Sequence, residues 1–281
     1  MKRLSLVLIA VGASALIIQN AHATLLFSDG FAYNSGSNLG GNVNPGNSVA
    51  WGTGNASNLQ IGSGNLTYSG LNDLGGNDLV VTSGTSTSDI NTYSVVSSGS
   101  IYISFLIQCT ALPTANNALM ALDPGTLTPG QSSTAAGGPD AVTVYTGSTA
   151  TGWKIGVRTD GGGSGAVYSG TLSLNTTYFV VEEYTFGSGS SVGNIYVNPS
   201  PIGSQPGTPT ATQTTATVVA SVDDVGIKAQ SATTQGAYIV DNVLVGTTWA
   251  DVTPAPVPEP ATFALAGLGM LGLVLARRMR R

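Results

Sequence analysis

The chain predicts an all-β fold, a two-sheet antiparallel jelly-roll sandwich, set between an N-terminal signal peptide and a C-terminal transmembrane helix. Three observations carry this. Short β-type runs recur between clusters of Gly, Ser, Asn and Thr, the punctuation of turns. No stretch between residues 24 and 256 repeats apolar residues at helical spacing over three turns. The two strongly apolar segments stand at the chain ends, each beside its own basic residues.

At the N-terminus, Lys2 and Arg3 precede an apolar run over 4–18. Ala21-His22-Ala23 follows with the small-x-small pattern of a signal-peptidase site. Ala21 and Ala23 are the expected recognition residues, with cleavage after Ala23 and a signal peptide over 1–23. The domain then spans 24–252. Residues 25–33 open it, and 58–61 with 66–68 read as a hairpin across 62–65. Strands follow at 79–82, 92–97, 100–108, 141–146, 153–158, 166–169, 177–186, 193–198, 215–222 and 237–246. In 153–158 the alternation is plain: Trp153, Ile155 and Val157 point inward, and Lys154, Gly156 and Arg158 outward. About a dozen strands in one unit call for two packed sheets. Two long connections, 112–140 and 199–214, are rich in Pro, Gly or Ala and are expected as surface loops.

Beyond the domain, 253–260 is a stalk in which Pro254, Pro256, Pro258 and Pro260 alternate. Each proline fixes its own φ and biases its predecessor away from helix, so the stalk stays extended. Residues 261–276 contain no charge and no proline. As a helix they would reach roughly 24 Å, short of a bilayer core of about 30 Å, which makes a marginal transmembrane anchor. The tail 277–281 carries Arg277, Arg278, Arg280 and Arg281, which favour the cytoplasmic side and place the upstream domain outside.

Val257-Pro258-Glu259-Pro260, then the apolar run, then the arginine cluster resembles the PEP-CTERM sorting signal of Gram-negative bacteria. The resemblance covers residues 257–281. It implies recognition by an exosortase, a membrane transpeptidase-like enzyme, with release or transfer of the exported part, often in bacteria that make extracellular polysaccharide. Pro258, Glu259 and Pro260 are then the sorting residues, acted upon and not acting. The expected partners are signal peptidase, the exosortase-type enzyme and extracellular polysaccharide. The expected route is an inner-membrane intermediate that passes to the cell surface or extracellular matrix. A second resemblance, to concanavalin A-like, LamG-type jelly rolls, rests on four segments: Phe27-Ser-Asp-Gly-Phe-Ala-Tyr, Trp153-Lys-Ile-Gly-Val-Arg, Thr177-Tyr-Phe-Val-Val-Glu-Glu-Tyr and Ile239-Val-Asp-Asn-Val-Leu-Val-Gly. It implies the fold and leaves activity open.

Between 24 and 256 the basic residues are Lys154, Arg158 and Lys228, against 13 carboxylates, a balance near −10. Such a surface repels phosphate backbones, so no nucleic-acid partner is expected. The sole histidine, His22, falls in the signal peptide, and its removal excludes Ser-His-Asp and Cys-His mechanisms. Cys109 is the single cysteine and reads as a small core residue. Glu182 and Glu183 are adjacent on one strand and therefore point to opposite faces, so they cannot form a glycosidase pair. They are expected as one solvated carboxylate and one at a sheet rim or paired with Arg158. No catalytic or metal residue is assigned, and no cofactor is called for. Calcium is the one ion that the abundant Asp and Asn oxygens could hold as a structural element. Asp29 and Asp241 are the pair to meet if the first and last strands are neighbours. Of the three tryptophans, Trp51, in a glycine-rich loop, is the best candidate for an exposed sugar platform. The reading is a non-enzymatic, exported β-sandwich. The alternatives are a carbohydrate-binding module for exopolysaccharide and, behind it, a glycan hydrolase or lyase.

Overall fold

A computed structural model describes residues 25–52, 57–84, 87–124, 141–159, 165–216, 218–230 and 233–254. Fourteen strands lie among them: β1 (Leu25–Asp29), β2 (Leu59–Ile61), β3 (Leu79–Val81), β4 (Thr87–Val96), β5 (Ser100–Ala111), β6 (Asn117–Asp123), β7 (Val142–Ser148), β8 (Trp153–Thr159), β9 (Val167–Tyr168), β10 (Thr177–Thr185), β11 (Ser191–Val197), β12 (Ala211–Thr215), β13 (Val222–Ala229) and β14 (Ala237–Gly246). One short helix, α1 (Trp249–Val252), follows. The strands pair antiparallel throughout, as the period-two alternation requires. The first sheet runs β12-β11-β10-β5-β14-β3-β2, with β1 also paired to β14; the second runs β4-β13-β6-β7-β8-β9. The two sheets form a sandwich.

The inner faces supply the core: Ile101, Ile103, Phe105, Ile107 and Cys109 from β5 meet Trp153, Ile155 and Val157 from β8 and Val225, Ile227 and Ala229 from β13. The sheets close tightly where β11 crosses β8. A Cβ on Gly193 would lie 2.5 Å from Thr159 Cγ2 and 2.9 Å from Val157 Cγ2, so this position has room for no side chain. A second apolar layer covers the outer face of the first sheet. Tyr102, Leu106, Phe179, Val181, Tyr196 and Leu244 point outward there, beneath Leu66, Trp249 and Val252. Being buried on both faces explains why β5, β10 and β14 read as nearly unbroken apolar runs.

Four sequence expectations change. The hairpin across 62–65 does not form, because β2 pairs with β3 and Leu66 instead lies on the outer face, its N–H donating to Asp241 Oδ2 at 2.7 Å. The connection 112–140, expected as a loop, contains β6, which is buried along its whole length between β13 and β7. A strand buried on both faces shows no alternation to reveal it. The connection 199–214, also expected as a loop, ends in β12, and the strand expected at 215–222 runs instead from the end of β12 to the start of β13, which belong to different sheets. Among the described residues no helix is long and apolar enough to cross a membrane. The signal peptide with Ala21 and Ala23, the run 261–276 and Arg277, Arg278, Arg280 and Arg281 lie outside the described residues.

Candidate functional site

The domain ends on the outer face of its first sheet. Thr248 caps α1: its hydroxyl accepts from Asp251 N–H at 3.4 Å, and Asp251 Oδ2 accepts the N–H of Thr248 at 2.8 Å and of Thr247 at 3.0 Å. This reciprocal box lets a helix of 4 residues hold its shape. It turns the chain back across the sheet. Trp249 lands edge-on between Tyr102 and Tyr196, with ring centroids 6.2 and 5.0 Å away. Val252 is fully buried, and its carbonyl accepts from Ser104 Oγ at 2.6 Å. Thr253 is buried and donates its hydroxyl to Trp249 O at 2.9 Å. The Asn72 N–H then donates to Pro254 O at 2.8 Å. The chain is thus clasped residue by residue up to Pro254, beside the segment 62–76.

That segment is itself held by the bulge in β14. Asn242 adopts φ 52° there, and the register of β14 against β5 shifts between Asp241 and Leu244. Asp241 accepts from the N–H groups of Leu66 and Asn242, both at 2.7 Å, and Asn242 Oδ1 accepts from Leu74 N–H at 3.0 Å. Burial raises Asp241 to about 7, against the lowering effect of those two hydrogen bonds.

Next to the clasp, Glu183 collects polar side chains. Its Oε1 accepts from Tyr102 OH at 3.0 Å and Ser100 Oγ at 3.2 Å. Its Oε2 accepts from Gln205 Nε2 at 2.9 Å, Asn194 Nδ2 at 3.0 Å and Tyr196 OH at 3.3 Å. Burial, reinforced by the Glu183 charge, pushes the Tyr102 hydroxyl up to about 12, so it stays a donor. With Thr185 Oγ1 also donating to Oε1 at 3.4 Å, six donors crowd the acceptor directions of one carboxylate. Gln205, exposed on the connection 199–210, closes the cluster from outside. This is the described region of the outer face where a carboxylate, two tyrosines, a tryptophan and two amides converge.

Residues 256–281 match the PEP-CTERM protein-sorting motif, the segment that contains Pro258, Glu259 and Pro260. The tail is a PEP-CTERM sorting signal. A PEP-CTERM signal implies export and handling by an exosortase, and delivery to the cell surface. The clasp at Pro254 therefore marks where the folded sandwich hands over to its tag, although the motif residues themselves lie outside the described residues. No curated protein matches the chain. Among solved structures, the sandwich is similar to lectin II from Ulex europaeus at 12% identity, over 80% of this chain and 98% of the lectin, with a TM-score of 0.41. It is also similar to a Trypanosoma rangeli sialidase at 10% identity, over 69% of this chain and 29% of the sialidase, with a TM-score of 0.38. The chain spans less than a third of the length of that sialidase. Superposition at this level transfers neither ligand nor chemistry.

The remaining sequence candidates move. Trp51 is 1% exposed and not a platform: it packs edge-on against Phe27, and its Nε1 donates to Asp29 Oδ2 at 2.8 Å. Trp153 is fully buried and Trp249 is 7% exposed. Glu182 and Glu183 do point to opposite faces, but neither is solvated and neither pairs with Arg158, whose guanidinium lies over the Tyr145 ring. Glu182 is 0% exposed inside the sandwich. It lies between its cross-strand neighbours Ile103 and Ile195, with no hydrogen-bond partner at either oxygen, and burial raises it well above the ordinary carboxylate range. The condition for the calcium pair is met, since β1 and β14 are neighbours, yet Asp29 and Asp241 face opposite sides. Asp29 accepts from Trp51, Tyr33 and Phe31 in the inner core, whereas Asp241 serves Leu66 on the outer face. The calcium pair does not converge, and among the described residues no group of three His, Cys, Asp or Glu is placed to hold a metal ion. The Glu183 cluster was the feature missed. Its signal was present in the alternation of Tyr102, Glu183, Asn194 and Tyr196 on three strands, but their order in the sheet was not.

Proposed function

We propose that this protein is an exported, non-enzymatic β-sandwich displayed at the surface or in the extracellular matrix of a Gram-negative bacterium. In this reading signal peptidase removes residues 1–23, and an exosortase-type membrane enzyme acts at Pro258, Glu259 and Pro260 while 261–276 spans the inner membrane. The match of residues 256–281 to the sorting motif carries the reading. Mass spectrometry of the termini in envelope and medium tests it: the mature chain should begin at Thr24 and lack Arg281. Arg281 retained in every fraction would sink it.

The Glu183 cluster favours a second reading, in which the outer face of the first sheet binds extracellular polysaccharide. The exposed Gln205 amide lies over the buried Glu183, Tyr102, Tyr196 and Trp249, and a sugar that displaced it would meet mixed apolar and hydrogen-bonding groups beneath. Gln205 is its exposed member. Retention on an exopolysaccharide affinity gel should be lost in Glu183→Ala and altered in Gln205→Ala, with both variants folded by circular dichroism. Equal retention of wild type and both variants would remove this reading.

A further inference from the structure

We infer that, during sorting, the folded sandwich stands directly against the enzyme that reads the tag, meeting it through the segment 62–76 on the outer face of the first sheet. The inference rests on the proposal that the tag is processed and adds what the fold imposes on that step. The chain is fixed to the domain as far as Pro254: Val252 O is bonded to Ser104 Oγ, Thr253 is buried, and Pro254 O takes the Asn72 N–H. Four residues lead from Pro254 to Pro258. Four residues can span at most about 14 Å even when fully extended, so Pro258 can be no further than that from a docked atom. An enzyme closing on Pro258, Glu259 and Pro260 has no room to avoid the sandwich within that reach.

The surface it meets suits a close approach. Although the domain balance is near −10, the segment 62–76 bears one charge, Asp73. That carboxylate is engaged by Asn65 Nδ2 at 2.8 Å and Gly75 N–H at 2.8 Å. Leu74 is 37% exposed, and Tyr68 and Leu71 are half-buried against the outer-face cluster. A nearly neutral, partly apolar segment therefore lies beside the exit, joined to it through Asn72. Because Asp241 and Asn242 anchor this segment from β14, it is a fixed part of the fold.

The full-length chain, incubated with membranes of the producing cell, gives the test, read as the rate at which residues after the motif are lost. A Gly-Ser spacer of about eight residues inserted after Pro254 frees the tag from the domain and should speed processing by about threefold or more. A bulky maleimide adduct on Ser69→Cys should slow processing in the otherwise unaltered chain and lose its effect in the spacer variant. The same adduct on Ser94→Cys, exposed on β4 of the other sheet, should do nothing; native Cys109 is buried and leaves the labelling specific. If the tag is lost but neither spacer nor adduct changes the rate, this inference fails alone. If the wild-type chain keeps Arg281 throughout, the sorting proposal fails with it.

Discussion

Glu182 sits where a carboxylate is least at home, in the inter-sheet core with no partner at either oxygen. An unsatisfied buried polar group costs about 1–3 kcal/mol, so replacing it with a shape-matched apolar residue should stabilise the fold. Glu182→Leu should raise the melting temperature by roughly 5 °C at neutral pH, measured by circular dichroism. A lower melting temperature would show that the carboxylate has a structural duty that its surroundings conceal. Trp51 teaches the opposite lesson, since its ring fills the core and its Nε1 serves Asp29. Trp51→Ala should cost about 3–5 kcal/mol by the cavity it leaves, while the properly folded fraction binds any polysaccharide as the wild type does. Selective loss of retention with unchanged stability would restore Trp51 as a platform. Cys109 behaves as its strand position indicates: it is fully buried, and burial pushes its thiol up to about 12, which keeps it unreactive.

The segment 62–76 is the element whose conformation depends most on a few polar contacts. It has no strand of its own, and Asp241 and Asn242 fasten it to β14 from one side. Asp241→Ala leaves the Leu66 N–H without its acceptor, and the segment should open. Limited proteolysis should then cut within 62–76 at least about tenfold faster than in the wild type, with the strands of the second sheet unaffected. An unchanged digestion pattern would show that the apolar seating of Leu66 and Leu71 suffices. The failed hairpin expectation has the same origin. The residues 66–68 have strand-like composition, but pairing with β2 was outcompeted when β3 took that edge and the Asp241 carboxylate took the Leu66 amide. β6 eluded detection because sandwiched strands lose the polar half of their alternation.

For the molecule as a whole, burial raises three carboxylates, Asp29, Glu182 and Asp241, above their ordinary values. In each case the folded form keeps a proton that the unfolded chain has already released. The contribution of these three groups to stability is therefore greatest below the ordinary carboxylate range and declines as pH rises, for Asp241 between 3.8 and about 7. Urea midpoints should fall from pH 5 to pH 8, and Glu182→Gln should flatten that slope. A midpoint that climbs over this interval would contradict the assignment. The excess of acidic over basic residues adds self-repulsion in the same direction.

The sequence by itself determined the all-β class and the sorting tag, for one physical reason: both are written in local order. Side-chain alternation declares a strand such as 153–158, and an apolar β-branched run one such as 237–246, without reference to anything distant, and a sorting signal must be readable as a linear peptide. Tertiary structure decided everything that depends on which strands become neighbours. It sent Trp51 into the core, set Asp29 and Asp241 on opposite faces of adjoining strands, and sealed Glu182 between the sheets. It also gathered Tyr102, Glu183, Asn194 and Tyr196 from β5, β10 and β11 into one cluster. The clasp that ends at Pro254 belongs to this second kind, since its bonds join residues up to about 180 positions apart in the chain, a separation that no local pattern encodes.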